Sequence, residues 1–319
     1  MIDIDFNWRN PITNVRTFGS DPDTVLSMAS AYMDGIGESP RPMAVCIKHF
    51  PGDGVDERDH HLLTTMNSLS ADKWMESFGR VYKTLIDKGA QTLMCGHIIQ
   101  PALERLVQPD IAEKDMLPAS HSKNLIQGII RNKLGFKGLI TTDATPMVGF
   151  SALKSRAEAL RMTIAAGADM IVFCKNIEED YASIREGIAS GEISLERLDE
   201  AVCRQLALKA SLGLHRNALP PEEAMEILGC SEHTDWAREC ADKAITLVKD
   251  NASLLPLSPE KTKRVRLTVL GENSQGGFGE CDSIAQPFKT ALENAGFEVS
   301  FYDYASMERG DIFTCGVED

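Results

Sequence analysis

The 319-residue sequence predicts an α/β protein built as a (β/α)8 barrel of the TIM type, and three observations support this fold. Short apolar segments rich in Val, Ile and Met alternate with longer segments of helical periodicity, which is typical of βα units around a parallel sheet. Polar or reactive residues repeatedly follow the predicted strands, at the ends where a barrel builds its active face. Serine residues that suit helix starts mark several of the boundaries.

Five strands and six helices are predicted in the first two thirds of the chain. The predicted strands cover residues 2–6, 43–50, 92–98, 138–143 and 170–173. The predicted helices cover residues 23–33, 71–88, 122–134, 152–166, 177–189 and 195–212. Ser70 and Ser194 are suited to cap the second and the last of these helices, because a serine hydroxyl accepts a hydrogen bond from the first turn.

A second α/β unit is predicted after a stretch that contains two consecutive prolines. We expect residues 1–214 to form a partial barrel, 215–234 a linker and 235–319 the start of a C-terminal α/β sandwich domain. This last part has predicted helices at 235–249 and 287–295 and predicted strands at 266–270 and 298–302. Since a closed barrel needs eight strands, we expect the first βα units to be missing and the open barrel edges to allow self-association.

The charge balance favours a neutral small molecule as the partner. The formal net charge is −14, which disfavours binding to nucleic acid or to an anionic membrane. No apolar run approaches the roughly 20 residues that span a bilayer, and the N-terminus lacks the layout of a signal peptide, so we expect a cytoplasmic protein. The eight cysteines contain no CxxC pair and are expected to be reduced thiols. No motif predicts a cofactor.

The segment KHFPGDGVDERDHH, residues 48–61, contains three of the seven histidines and four acids. Pro51 and Gly52 turn the chain off the second predicted strand, so that the rest of the segment forms a loop able to fold over a pocket. Asp59 and His61 are two residues apart, and in an extended segment a carboxylate can then orient an imidazole that exchanges protons. The alternative interpretation is a solvated loop with incidental charges.

Asp143 ends an apolar run, residues 138–143, where a carboxylate either faces a polar pocket or caps the next helix. In a pocket it would suit a nucleophile or a group that stabilises an oxocarbenium-like centre. Arg16 is either a surface cation or a donor to sugar hydroxyls. His97 is either a hydrogen-bonded wall residue or a reacting one.

A metal site is one further arrangement of these side chains. Its candidate ligands are Asp59, His49, His61 and His97. No HxH or HExxH spacing supports such a site, so the sequence predicts no bound metal.

The motifs together resemble glycoside hydrolase family 3, and within it the β-N-acetylglucosaminidase branch. The resemblance covers nearly the whole chain and rests on NPITNVRTFGSDP (10–22), KHFPGDGVDERDHH (48–61), LPASHSKNLIQGIIRNKLGFKGLITTDA (117–144) and AAGADMIVF (165–173). The segment 237–257 is similar to the opening of the family's C-terminal domain. Two positions depart from the family pattern: Asp53 stands where family loops often have histidine, and His60 where a small residue is common.

The resemblance implies a retaining exo-β-N-acetylglucosaminidase that acts on small glycoconjugates such as peptidoglycan fragments. Asp143 would be the nucleophile that forms a glycosyl-enzyme, and His61, supported by Asp59, would be the general acid/base. The residues expected to hold the sugar hydroxyls are Arg16, Lys48 and His49.

Two alternatives stay open at this point. A histidine acid/base does not repel an incoming phosphate dianion as a carboxylate would, so the enzyme could be a β-N-acetylglucosaminide phosphorylase. A barrel without its first units could instead be a catalytically silent fragment that at most binds sugar.

Overall fold

The computed structural model describes residues 1–41, 43–216, 222–250, 254–268 and 285–301. The chain divides into two compact units, Met1–Leu219 and Pro220–Asp319. Among the described residues, no helix is both long enough and apolar enough to cross a bilayer.

The first unit is organised around a parallel sheet. Its strands are β1 (Cys46–Phe50), β2 (Thr65–Met66), β3 (Thr92–Cys95), β4 (Ile98–Ile99), β5 (Leu139–Ala144) and β6 (Met170–Val172). The main sheet has the order β1-β3-β5-β6 with every pair parallel, and β2 pairs with β4 separately. This confirms the predicted α/β class with a parallel sheet, in which the carboxyl ends of all four strands meet at one edge.

Helices connect and follow these strands. They are α1 (Pro22–Gly37), α2 (Ala71–Trp74), α3 (Arg80–Asp87), α4 (Pro101–Val107), α5 (Val148–Ser151), α6 (Arg156–Ala166), α7 (Ile177–Ala189) and α8 (Leu195–Ser211). Met75–Gly79 and Asn124–Lys133 are π-helical, and Asn14–Arg16 and Glu113–Asp115 are 3-10 turns. Ser70 and Ser194 cap α2 and α8 by accepting hydrogen bonds from the first turn, as predicted.

An aromatic cluster in the core fixes the start of the loop that follows β1. The rings of Phe50, Trp74 and Tyr82 lie within 6.3 Å of one another, centroid to centroid. The Trp74 indole donates a 2.6 Å hydrogen bond to the Pro51 carbonyl. Gly52 has φ +113°, and a Cβ there would lie 2.3 Å from the Phe78 ring, so only glycine fits this turn. The loop therefore leaves a rigid base.

Several predicted elements differ from the observed ones. Residues 2–6 do not form a strand: the Ile2 amide donates to the Lys48 carbonyl of β1, but the next amide of β1, that of His49, donates to the Asp3 carboxylate and not to a backbone carbonyl. The predicted strand 92–98 is divided in the structure into β3 and the start of β4. The predicted helix 152–166 begins only at α6, where Ser155 caps it, and α4 was not predicted at all.

The second unit contains a parallel pair of strands with a helix between them in the chain. Its elements are the 3-10 turn Glu222–Ile227, α9 (Ser231–Ala244), β7 (Arg264–Leu267), α10 (Ala285–Asn294) and β8 (Glu298–Phe301). The pairing of β7 with β8 is parallel, which is the arrangement of a βαβ unit. Residues 269–270 and 302 of the predicted strands lie outside the described residues.

Candidate active site

Asp143 lies near the carboxyl end of β5, and its carboxylate faces two imidazoles. Its Oδ1 accepts a 2.7 Å hydrogen bond from the Ala144 amide. Its Oδ2 is 3.5 Å from His60 Nε2 and 3.8 Å from His49 Nε2, and accepts no directed hydrogen bond from any described residue. The next helix, α5, is capped by Met147 without a side-chain bond, so Asp143 is not a helix cap. The sequence left two interpretations of Asp143, a polar pocket or a helix cap, and the structure agrees with the polar pocket.

The environment of Asp143 keeps this carboxyl ionised. The residue is 9% exposed. Burial alone would raise the pKa of Asp143, but contact with His60 and the charges of His49 and His60 outweigh it and hold the pKa well below its usual range. An ionised, poorly solvated carboxylate with one uncommitted oxygen is chemically suited to attack a carbon that becomes electron-poor.

His49 is fixed by a buried acid from the start of the chain. Its Nδ1 donates to Asp3 Oδ2 at 2.8 Å, and its backbone amide donates to the same carboxylate. Both side chains are buried, at 2% and 0% exposure. Because Asp3 holds Nδ1, the Nε2 atom is directed at Asp143. Sequence reasoning missed Asp3, whose only signal was an acid between two isoleucines.

His60 lies between two acids. Its Nδ1 is 2.8 Å from Asp53 Oδ2, while its Nε2 faces Asp143, and the ring is fully buried. Burial opposes protonation, yet the two carboxylates outweigh it and raise the pKa of His60 to about 9. The sequence marked Asp53 and His60 only as departures from the family pattern, and no local signal brought them together.

The Asp59 and His61 side chains are in contact. His61 Nδ1 lies 2.7 Å from Asp59 Oδ1, and the His61 amide donates to the same oxygen at 2.8 Å. The His61 ring stacks on His60 with centroids 4.7 Å apart, and its side chain is 32% exposed. The Val148 amide donates to the His61 carbonyl at 2.9 Å, which ties the loop to the segment after β5. The pair is therefore one ring away from Asp143 and open to solvent.

The remaining predicted residues have different surroundings. Lys48 is half-buried next to His49 on β1, and Arg16 is exposed at the end of its 3-10 turn. Within the part of the chain that the structure describes, neither side chain has a carboxylate partner, and neither contacts Asp143. Both cations are free to donate to a ligand.

His97 is buried and hydrogen-bonded through both ring nitrogens. Its Nδ1 lies 3.0 Å from the Ser120 hydroxyl, and its Nε2 donates to the Ala144 carbonyl at 3.1 Å. Burial lowers the pKa of His97 to about 3, so the ring is neutral. Its role is to hold the backbone beside Asp143.

The candidate metal ligands named from the sequence are not arranged as a metal site in the described ranges. In the described ranges, no three His, Cys, Asp or Glu side chains are grouped as ligands of one metal ion would be.

The chain is similar to several known proteins. The model of the glycosyl hydrolase family 3 N-terminal domain matches residues 1–208. The β-N-acetylglucosaminidase/β-glucosidase of Cellulomonas fimi is 45% identical over 305 residues, which cover 95% of this chain and 54% of that protein. The β-hexosaminidase of Chromobacterium violaceum is 30% identical over 182 residues, or 57% of this chain and 47% of that protein.

Two solved structures are also similar. The β-glucoside phosphorylase BglX has a TM-score of 0.85 and 48% identity, and the match covers 97% of this chain and 56% of that one. A family 3 β-N-acetylglucosaminidase from Paenibacillus sp. has a TM-score of 0.76 and 26% identity, covering 94% and 55%. The chain spans about half the length of these relatives. It belongs to glycoside hydrolase family 3.

Proposed function

We propose that the chain carries the catalytic groups of a retaining exo-β-N-acetylglucosaminidase. The substrates would be small glycoconjugates with a terminal β-linked N-acetylglucosamine, such as peptidoglycan fragments. The observation that supports the proposal is that His49 and His60 face the free oxygen of Asp143, while the Asp59–His61 pair stacks on His60. The activities named for the Cellulomonas and Paenibacillus proteins support the amino sugar as the substrate.

In the first half-reaction, Asp143 Oδ2 would form a bond to the anomeric carbon while the bond from that carbon to the leaving oxygen breaks. His61 would give its proton to the leaving oxygen. Asp59, 2.7 Å from the other ring nitrogen, stabilises the imidazolium before transfer and orients the ring. His61 is suited to this step because it is the solvent-accessible histidine of the adjacent pair.

In the second half-reaction, a water molecule would attack the anomeric carbon. His61, now neutral, would take the proton of that water, and Asp143 would leave as a carboxylate. Arg16 and Lys48 would hold the sugar hydroxyls, since Arg16 is exposed, Lys48 is half-buried beside His49, and both carry several N–H donors.

The test is release of 4-nitrophenol from its β-N-acetylglucosaminide by the whole chain. Asp143→Asn should reduce turnover to the uncatalysed rate, whereas Asp115→Asn, an exposed acid of the Glu113–Asp115 turn, should leave it unchanged. A 2-deoxy-2-fluoro glycoside should leave a covalent adduct on the peptide that contains Asp143. Retained activity in a folded Asp143→Asn variant would refute the assignment.

The role of Asp59 is tested by Asp59→Asn. General acid–base catalysis contributes about 10²–10⁴-fold, so we expect a loss of kcat in that range for a substrate with a poor leaving group. The loss should be smaller for 4-nitrophenolate, which departs with little protonation. Equal losses for both leaving groups would contradict an acid/base role.

Phosphorolysis is a second candidate, favoured by the similarity to the phosphorylase BglX. An imidazole acid/base carries no negative charge, so phosphate could replace water in the second half-reaction. Stimulation of turnover by inorganic phosphate, with sugar 1-phosphate as the product, would establish this variant. The same assay with 4-nitrophenyl β-glucoside would show whether the sugar must carry the acetamido group.

A further inference from the structure

We propose that Asp53 and His60 form a second aspartate–histidine pair, which keeps Asp143 ionised and helps it to depart from the sugar when the glycosyl-enzyme breaks down. The inference rests on the proposed function, because it takes Asp143 as the nucleophile. His60 is then a positioning residue, since it acts through Asp143 and does not contact the sugar.

The geometry leaves His60 no other task. The ring is fully buried, with Asp53 Oδ2 2.8 Å from Nδ1 and Asp143 Oδ2 3.5 Å from Nε2. Neither nitrogen makes a well-directed hydrogen bond with any described residue. A buried imidazole without linear hydrogen bonds is costly unless charge holds it. Here the two flanking carboxylates supply that charge.

Asp53 is itself built into place. Its Oδ1 accepts hydrogen bonds from Asn10 Nδ2 at 2.8 Å and from the Gly54 amide at 2.7 Å. Its own amide donates to Asp3 Oδ1 at 2.7 Å. With Oδ1 occupied and the backbone fixed, Oδ2 is the oxygen left to face His60.

Charge balance in this cluster favours a protonated His60. Three buried acids, Asp3, Asp53 and Asp143, surround two buried imidazoles, His49 and His60. With both rings neutral, the cluster would carry three uncompensated negative charges at low solvent access, which is unfavourable. His60 lies between two of these acids, so a proton on its ring is stabilised by both carboxylates.

Other titratable groups also face His60. The His61 ring stacks on it at 4.7 Å and the His49 ring lies at 5.5 Å, centroid to centroid. Protonation of either would oppose a charge on His60. His97, on the segment after β3, is also within coulombic reach of His60. The two flanking carboxylates dominate because they are closer and carry full charges.

A cation beside Asp143 Oδ2 has opposite effects on the two half-reactions. Formation of the glycosyl-enzyme consumes the negative charge on Oδ2, whereas its breakdown restores that charge. A neighbouring imidazolium therefore stabilises the transition state of breakdown relative to that of formation. The two aspartate–histidine pairs would have different roles. The exposed His61 transfers the proton, and the buried His60 makes Asp143 a better leaving group.

The test uses the whole chain with His60→Gln and Asp53→Asn, and with the exposed His215→Gln as the matched control. For a substrate with a fast first step, we expect kcat to fall about tenfold in both site variants. KM should fall with it, so that kcat/KM changes little, and more covalent intermediate should be seen by mass spectrometry. The acid limb of kcat/KM should move up by about one pH unit, because Asp143 loses its counter-ion.

A second measurement does not depend on turnover. Long-range ¹H–¹⁵N spectra of the ring nitrogens should show His60 as an imidazolium at pH 7.5, and Asp53→Asn should lower its pKa by about one unit or more. A neutral His60 at pH 7.5 overturns the proposal whether or not the chain is active. A fall in kcat/KM at constant KM also overturns it. Failure of the proposed function is distinct, since it appears as activity in Asp143→Asn.

Discussion

The buried carboxylate of Asp169 should be one of the most sensitive positions for stability in the first unit. It lies directly before β6 and is fully buried. Its Oδ2 accepts hydrogen bonds from Arg131 at 2.8 Å and from the Ile140 amide at 2.9 Å. Its Oδ1 accepts from Arg197 at 2.5 Å and from Arg204 at 3.0 Å. One acid thus connects the π-helical segment Asn124–Lys133 and helix α8 to the strands β5 and β6.

Asp169→Asn keeps the shape of the side chain but removes its charge. The guanidinium groups of Arg131 and Arg197 are only 9% and 10% exposed. Without the Asp169 charge, Arg131 would have no carboxylate partner among the described residues, and Arg197 would keep only Glu200 at 2.9 Å. Breaking a buried ion pair in this way costs about 3–5 kcal/mol. For a unit of this size, each kcal/mol shifts Tm by about 2–4 °C, so we expect Tm to fall by about 6–20 °C.

The assay is thermal unfolding followed by near-ultraviolet circular dichroism, in which the buried Trp74 reports on the first unit. Asp199→Asn is the matched control, because Asp199 is exposed on α8 and has no ion pair among the described residues. The difference between the two variants should persist in 1 M salt, since buried pairs are weakly screened. A Tm for Asp169→Asn within about 1 °C of the control would refute the reasoning.

Three further outcomes are expected. The pKa of His60 is raised from 6.5 to about 9, so its charge stabilises the folded state fully below pH 6.5 and this stabilisation is lost as the pH rises to 9. In urea unfolding, the free energy of unfolding should fall by about 3 kcal/mol over this range, and the fall should be absent in His60→Gln. Gly54→Ala combines φ +105° with a Cβ 2.0 Å from a backbone carbonyl, whereas Gly19→Ala has φ +125° and open space; Gly54→Ala should be the more destabilising by at least about 1 kcal/mol, and equal losses would show that the clash is relieved. Trp74→Phe removes the hydrogen bond to Pro51, and a loss of about 1–2 kcal/mol in denaturant unfolding is expected; no loss would mean that water replaces it.

The parts of the fold that the sequence predicts well are those with local signals. The helix at residues 177–189 has helical periodicity and a polar cap, and the structure has the same bounds in α7. The contact between Asp59 and His61 is also local, because only one residue separates the partners. Local spacing limits where side chains can go, so such features can be predicted without the fold.

The surroundings of Asp143 could not be predicted from local signals, because they join residues that are far apart in the chain. Asp3 and His49 are 46 residues apart in the chain, and Asn10 and Asp53 are 43 apart. No periodicity relates such residues, and only the folding of the loop against the start of the chain brings them together. The wrong strand at 2–6 has the same origin: an alternating apolar pattern predicts a ladder, but the acid within it accepts the amide hydrogens of His49 on β1 and of Asp53 in the loop.

The two departures from the family pattern are better understood as one change than as two. An acid at position 53 without an imidazole at 60 would place a second carboxylate near Asp143 and raise its pKa by repulsion. An imidazole at 60 without the acid at 53 would be a buried ring with one side unpaired. The 2.8 Å contact between Asp53 and His60 removes both costs and leaves a cation beside Asp143. A position-by-position comparison misses this coupling because each residue is acceptable only in the presence of the other.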